Sequence, residues 1–319
     1  MRQTRNHAAM IVERQEGERV ATDRPSLSVM FATIRGWPDA RLPIDATRNQ
    51  VARVGGEIVV VDGSGRPAPT TAEVGPDVKW ISRPGESVFQ MRPAGYEACR
   101  AEIIAVTEDH CAPAADWCER ILQAHREHPE AIAIGGAVEN GTTDRLLDWA
   151  TFIVTQAPFV GPLANGPAER IVGAASVSYK RAVLDRRPDH GSLGGIELFD
   201  TAVMRRPGEV LLNDDSIRVT HHQSMGLAGT SGSQFHNGRA IAGFRRRAMA
   251  RGDWLRIVGF PVLPLYRTVR SLRIAWGKWI PRPKVVVTVP LVAYLHYCQA
   301  AGELIGYAAG PGSSPAKLR

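Results

Sequence analysis

Ile103-Ile104-Ala105-Val106-Thr107-Glu108-Asp109-His110 is the stretch that decides the fold. Four apolar residues and a threonine lead into two carboxylates and an imidazole. A short continuous apolar run fits a strand buried on both faces, as in a parallel sheet. Open α/β sheets bind ligands at the carboxyl edge of their strands, so this ending puts charged groups where a substrate binds. Carboxylates suit Mg²⁺ or Mn²⁺, and the imidazole tilts the choice toward Mn²⁺. Alone, the stretch reads equally well as a polar turn after a core strand. Its neighbours decide.

Upstream, Ser28-Val29-Met30-Phe31-Ala32-Thr33 reads as the first strand and Arg35-Gly36-Trp37-Pro38 as the loop leaving it. Residues 42–54 follow as a helix with Ile44, Val51 and Val54 apolar. Glu57-Ile58-Val59-Val60-Val61 is a second buried strand, ending at Asp62-Gly63-Ser64-Gly65. Residues 78–81 give a third strand, and a helix over 89–100 leads into the strand at Ile103. Beyond it, Trp117, Ile121 and Ala124 lie at helical spacing, and Ile132-Ala133-Ile134-Gly135 is a fifth strand. This alternation predicts an α/β fold with a mostly parallel sheet and helices on both faces. Further on the pattern predicts a helix over 144–155, a Gly-, Pro- and Asn-rich loop over 157–170 and a strand over 174–178. A helix over 197–204 and a short strand over 218–222, ending in His221 and His222, complete it.

The 319 residues carry a net charge of +7, and its distribution is uneven. Residues 236–319 hold 14 Lys and Arg against Asp253 and Glu303, a net of +12, which leaves −5 for residues 1–235. A basic segment serves nucleic acid or an anionic membrane surface. Its apolar neighbours, 254–266 and 285–307, favour the membrane and no nucleic acid. Residues 267–276 mix arginines with apolar and aromatic residues, as a helix lying in a membrane interface does. Residues 285–302 are uncharged and just long enough to span, but Pro290, His296, Gln299 and then Glu303 favour interfacial or re-entrant packing. A soluble helical appendage is the alternative. Four cysteines without metal or CxxC spacing read as reduced, cytosolic thiols, and residues 1–24 as a polar tail without a secretory signal. No GxGxxG motif follows the first strand and there is no Walker loop, which argues against nicotinamide and P-loop chemistry.

The order of these pieces carries a resemblance. A strand ending Val61-Asp62-Gly63-Ser64, then Arg92-Pro93-Ala94-Gly95-Tyr96-Glu97-Ala98, then a strand and an acidic cluster resembles the family 2 glycosyltransferases of the GT-A fold, over residues 26–223. The resemblance implies that Asp62 contacts the nucleotide, with Thr33, Arg35 and Arg92 beside the donor. It implies that Glu108-Asp109-His110 stands for the family's Asp-x-Asp motif, which holds the metal and the sugar diphosphate. Glu108 and Asp109 then serve the donor, and Asp109, His110 and His221 the divalent cation, Mn²⁺ or Mg²⁺. His221 fits the pattern Val219-x-His221, and since adjacent strand residues face opposite ways only one of His221 and His222 should reach the site. Family members invert the anomeric centre, with an acidic base at a helix start. Gly194-Gly195-Ile196-Glu197-Leu198-Phe199-Asp200 matches, making Glu197 the expected base and Asp200 its reserve. Arg239 is expected at the diphosphate, its rival role being membrane attraction shared with residues 245–247. Trp37 and Trp149 are candidates to stack on a sugar or base.

The resulting expectation is an N-terminal tail over 1–24, a GT-A nucleotide-diphospho-sugar transferase domain over 25–235, a basic and apolar helical segment over 236–312 and a tail over 313–319. The enzyme would transfer a sugar from a nucleotide-sugar donor to a glycan or lipid-linked acceptor at the cytoplasmic face of the cell membrane. A sugar-1-phosphate nucleotidyltransferase and a non-catalytic binding module of the same fold are the rivals. All of this requires Asp62 and the acidic trio to share one edge.

Overall fold

The computed structural model describes residues 24–186, 206–246 and 257–318. Its first strand, β1 (Leu27–Thr33), is buried along its whole length. Successive side chains point to opposite faces, so Val29 and Phe31 pack with Ile44, Val51 and Trp117 while Met30 packs with Tyr96, Ile104 and Tyr179. That double burial is why β1, β2 (Glu57–Asp62) and β4 (Ile103–Val106) read as continuous apolar runs. β3 (Val78–Ser82) lies at the edge and is only partly covered.

The remaining strands are β5 (Cys111–Pro113), β6 (Ala131–Asn140), β7 (Gly166–Ala168), β8 (Val177–Lys180) and β9 (Val210–His221). The sheet runs β3-β2-β1-β4-β8-β6-β9-β5, with β7 paired to β9. From β3 to β4 every pairing is parallel. β8 then enters antiparallel to both β4 and β6, so the fifth strand expected from the βαβ rhythm does not lie beside β4. A twelve-residue β9 replaces the short strand expected at 218–222. It pairs in parallel with β6, with a register shift where Asp214 faces Gly136 and Arg218 faces Ala137. At that shift the Asp214 carboxylate accepts from the Ser216 amide and hydroxyl. This bulge interrupts the apolar rhythm and hides the first half of the strand from a sequence reading.

Helices α1 (Arg41–Val54), α4 (Trp117–Glu127) and α5 (Leu146–Gln156) cover one face. α3 (Val88–Ala98) and the short α6 (Arg181–Leu184) cover the other, and α2 (Thr71–Val74) is a single turn before β3. The expected strand at 174–178 is displaced to 177–180, and the helix expected over 197–204 lies outside the described residues.

Among the described residues four helices follow: α7 (Leu227–Arg245), α8 (Leu263–Trp276), α9 (Arg282–Val287) and α10 (Val289–Ala309). The boundary drawn at 235/236 falls inside α7. α7 and α10 lie against each other through small residues. A Cβ on Gly302 would collide with the Phe235 carbonyl, and one on Gly238 with the Gln299 carbonyl. Side chains so small let two helix backbones approach closely. α8 docks on α10 through polar groups: Arg267 Nη2 lies 2.8 Å from Glu303 Oε2, and Ser271 Oγ 3.0 Å from His296 Nε2. No described helix is long and apolar enough to cross a membrane. The four cysteines are free thiols.

Candidate active site

Parallel pairing sets the geometry of the site. Thr33, the last residue of β1, is in register with Asp62, the last of β2. On the other side of β1 the Thr107 amide donates to the Met30 carbonyl at 3.1 Å, carrying the chain out of β4 at the same edge. Asp62 and the Glu108-Asp109-His110 trio therefore share one edge, with β1 between them. Ordinary strand spacing puts β2 and β4 about 10 Å apart there.

The loops leaving β1 and β2 touch. Gly36 has φ +68, and a Cβ there would strike the Ser64 hydroxyl, so glycine is required on both counts. Arg66 Nη1 pairs with Asp39 Oδ2 at 2.7 Å across the same gap. Asp62 is 1 % exposed, and its two oxygens accept from the Ser64 amide at 2.8 Å and the Trp80 indole at 3.3 Å. Trp37 meets Trp80 edge to face, 6.4 Å between ring centroids, while its own indole donates to Glu73 at 3.3 Å. Trp80 is the residue that sequence reading passed over, because on an edge strand a tryptophan looks like ordinary packing. Trp149 is buried, and its indole donates to the Thr143 carbonyl.

Around β4 the arrangement is tighter. β5 pairs with β9 so that Cys111 faces His221, and the His222 amide donates to the His110 carbonyl at 2.8 Å. That three-residue strand, too short to read in sequence, brings His221 to the acidic cluster. His110 Nε2 and His221 Nε2 lie 3.0 Å apart, and Glu108 Oε2 is 3.4 Å from the first and 3.5 Å from the second. Ligand atoms about 2.1 Å from a shared ion sit roughly 3.0–3.4 Å from one another, so Glu108, His110 and His221 fit one divalent cation. His222 turns the other way, onto Gly141. Phe152 of α5, also unanticipated, has its ring centroid 6.5 Å from that of His221.

Asp109 has a different place from the three. Its Oδ2 accepts from the Thr33 hydroxyl at 2.7 Å and Arg35 Nε at 3.0 Å, while Oδ1 lies 2.9 Å from His110 Nδ1. Arg35 Nη2 also donates to the Asp109 carbonyl at 2.8 Å. A carboxylate on Nδ1 holds the proton there and leaves the Nε2 lone pair facing Glu108 and His221, the usual orientation for a metal-ligating imidazole. In Glu-Asp-His the outer residues thus converge on the cation position and the middle one orients the second.

The two carboxylates are held ionised. Burial works to raise the Glu108 carboxyl, but the hydrogen bond from His221 and the nearby His110, His221 and Arg92 charges outweigh it and bring the pKa down to about 2. Burial likewise opposes ionisation of Asp109, and the His110 and Arg35 hydrogen bonds overcome it, again to about 2. For His110 burial disfavours the cation, but Asp109 and Glu108 raise its pKa on balance. Arg92, buried on α3 over the Phe89 ring, contributes charge toward Glu108. Arg239 is elsewhere: its Nε donates to the Gly310 carbonyl at 3.2 Å, against the turn after α10. Glu197 and Asp200 lie outside the described residues.

Residues 45–186 match the family Glycosyl transferase family 2. They carry a family 2 glycosyltransferase domain. Among solved structures, the chain is similar to a mannosyltransferase, PcManGT from Pyrobaculum calidifontis, in complex with GDP-Man and Mn²⁺. The two share 15% identity and a TM-score of 0.54, over 90% of this chain and 88% of that one. S. aureus TarS 1-349 aligns at 12% identity and TM-score 0.46, over 89% of this chain and 90% of that one. GalNAc-T7 with UDP, GalNAc and Mn²⁺ aligns at 14% and 0.46, over 64% and 45%. The first of these overlaps establishes a common GT-A-like fold. No curated protein matches the sequence.

Proposed function

We propose that this family 2 glycosyltransferase moves a sugar from a nucleotide-diphosphate donor to a hydroxyl of a glycan or lipid-linked acceptor, with inversion and with help from Mn²⁺ or Mg²⁺. The observation that carries the reading is the convergence of Glu108, His110 and His221 one strand away from Asp62. That separation suits a nucleoside at the Asp62 end and its diphosphate at the other. Two imidazoles with one carboxylate favour Mn²⁺ over Mg²⁺. A bound cation would neutralise the charge that gathers on the departing diphosphate. The side chains do the remainder. Asp62 hydrogen-bonds the nucleoside, with Trp37 and Trp80 walling its pocket. Asp109 keeps His110 in the tautomer that offers Nε2, and Thr33 and Arg35 keep Asp109 in place. Arg92 adds positive charge on the donor side. Glu197, with Asp200 in reserve, takes the proton from the acceptor hydroxyl as it attacks.

The test is a thermal-shift and calorimetry series with UDP and GDP, each with and without Mn²⁺. The expected result is stabilisation by one nucleotide that depends on the ion, about 2.7 kcal/mol at a hundredfold excess over Kd. His221→Ala should lose the ion dependence. Nucleotide binding indifferent both to Mn²⁺ and to that substitution would overturn the reading.

A further inference from the structure

The α8 helix is amphipathic the wrong way round for a helix facing water. Its inward side carries Pro264, Thr268 and Ala275, together with the Arg267–Glu303 and Ser271–His296 contacts. Its outward side carries Tyr266, Val269 and Trp276, spaced three and seven residues apart along one stripe, at 62%, 56% and 47% exposure, and Val262, just before its first turn, is 65% exposed. Leu265 lies beside the stripe, also exposed. Valines 286, 287 and 289 extend the apolar surface from α9 into α10. Arg270 and Arg273 sit within it, and the Arg282 guanidinium lies 5.3 Å from the Trp276 ring. Exposed apolar area on this scale marks an interaction surface.

We infer that the outward face of α8 and α9 docks into the interface of an anionic lipid bilayer. Charge selects that occupant. The segment from 236 onward carries a net of +12, so a second copy of the same face would meet it with like charge. Residues 247–256 are themselves basic and offer no complement. Tyrosine, tryptophan and arginine around valine and leucine match the boundary between acyl chains and phosphate headgroups. α9 and α10 pack against α5, which carries Phe152 toward His221, so docking would set the site near the bilayer. If the transferase reading above holds, the acceptor class that fits is one carried on a lipid.

The experiment is flotation of the full chain with phosphatidylcholine vesicles, with and without 30 mol% phosphatidylglycerol. Binding is expected only with the anionic lipid and should weaken in high salt. Each arginine near the surface contributes about fivefold, so Arg270→Ser with Arg273→Ser should reduce binding about 25-fold. Val262→Ser with Val269→Ser should reduce it about tenfold or more while the circular dichroism melt is unchanged, since both side chains are exposed. Equal binding to neutral vesicles, or no binding to either, overturns the proposal. So does a dimer in sedimentation velocity that Val262→Ser with Val269→Ser dissolves while vesicle binding persists. Vesicle binding does not depend on donor chemistry, so its failure and that of the nucleotide test are separate results.

Discussion

The carboxyl edge of the sheet and the C-terminal helices arrange their polar groups in opposite ways. At the edge, polar side chains hold one another: Thr33 and Arg35 hold Asp109, Asp109 meets His110, and His110 meets His221. In the helices the charged pair Arg267–Glu303 and the His296–Ser271 contact are turned inward, and valines and aromatics face out. In the first pattern each group's geometry is set by its neighbours, as preorganisation for the proposed charged donor requires. The second leaves the valines and aromatics of α8 and α9 exposed among the described residues.

The sharpest way to divide the two regions is by what each change does to turnover and to donor binding. Glu197→Gln should lower transfer between about 100- and 10,000-fold, the usual worth of a general base, while nucleotide affinity stays within about twofold. Steady-state kinetics beside calorimetry reads both. Retained turnover would move the base to Asp200 or to another group.

The second effect belongs to the helices. Gly302→Val places a side chain where the Phe235 carbonyl already sits, so α7 and α10 must separate. Overpacking of this kind costs about 3 kcal/mol. Urea unfolding should show that loss. If the two regions are as independent as their polar arrangements imply, nucleotide binding at the sheet edge should survive wherever the variant remains folded. Donor binding that fails in step with stability would show the seam to be part of the site.

The sheet edge was far more legible in sequence than the helices, and the reason is periodicity. The run Ile58-Val59-Val60-Val61 is short, β-branched and closed by Asp62-Gly63, which marks a strand buried on both faces and the edge where it ends. The join between Glu108-Asp109-His110 and His221 could be expected only through the resemblance, because it is made by a three-residue strand that no local pattern announces. The role of Asp109 could not be read at all. A carboxylate between two candidate ligands looks like a third until the Thr33 and Arg35 contacts are seen. Likewise Arg239 looked like a phosphate group's partner, and only tertiary packing puts it against Gly310. In the C-terminal segment composition suggested a surface helix but not its orientation, which depends on α10 supplying Glu303 and His296 to the inward side.

That distinction within the acidic trio is open to test. Asp109→Asn keeps the shape of the side chain but removes the charge that fixes the His110 proton. Loss of such an orienting partner typically costs 10- to 100-fold in ion affinity. Mn²⁺ titration should show that drop, with nucleotide binding at saturating Mn²⁺ recovering to near the parent value. A complete loss of Mn²⁺ binding would make Asp109 a ligand, and no loss would remove it from the site.

The smallest effect compares the regions through one buried histidine in each. His125, beside Ser178 under the sheet, is held down to about 4 by burial and by the Lys180 charge. His296, between α8 and α10, is held down to about 4 by burial and by Arg267. Both are neutral in the fold and titrate near 6.5 when unfolded, so between those values the unfolded chain binds more protons. Their contribution is fully present above about pH 6.5 and is lost as the pH falls toward 4. Each should account for about 1 to 2 kcal/mol of the stability lost between about pH 7 and pH 5. Chemical unfolding of His125→Gln and His296→Gln across that range would show it as a flatter profile in each variant. If helices and sheet unfold as one unit, the double variant should flatten by the sum. If the helices detach first, His296→Gln will flatten only an early transition and His125→Gln only a late one.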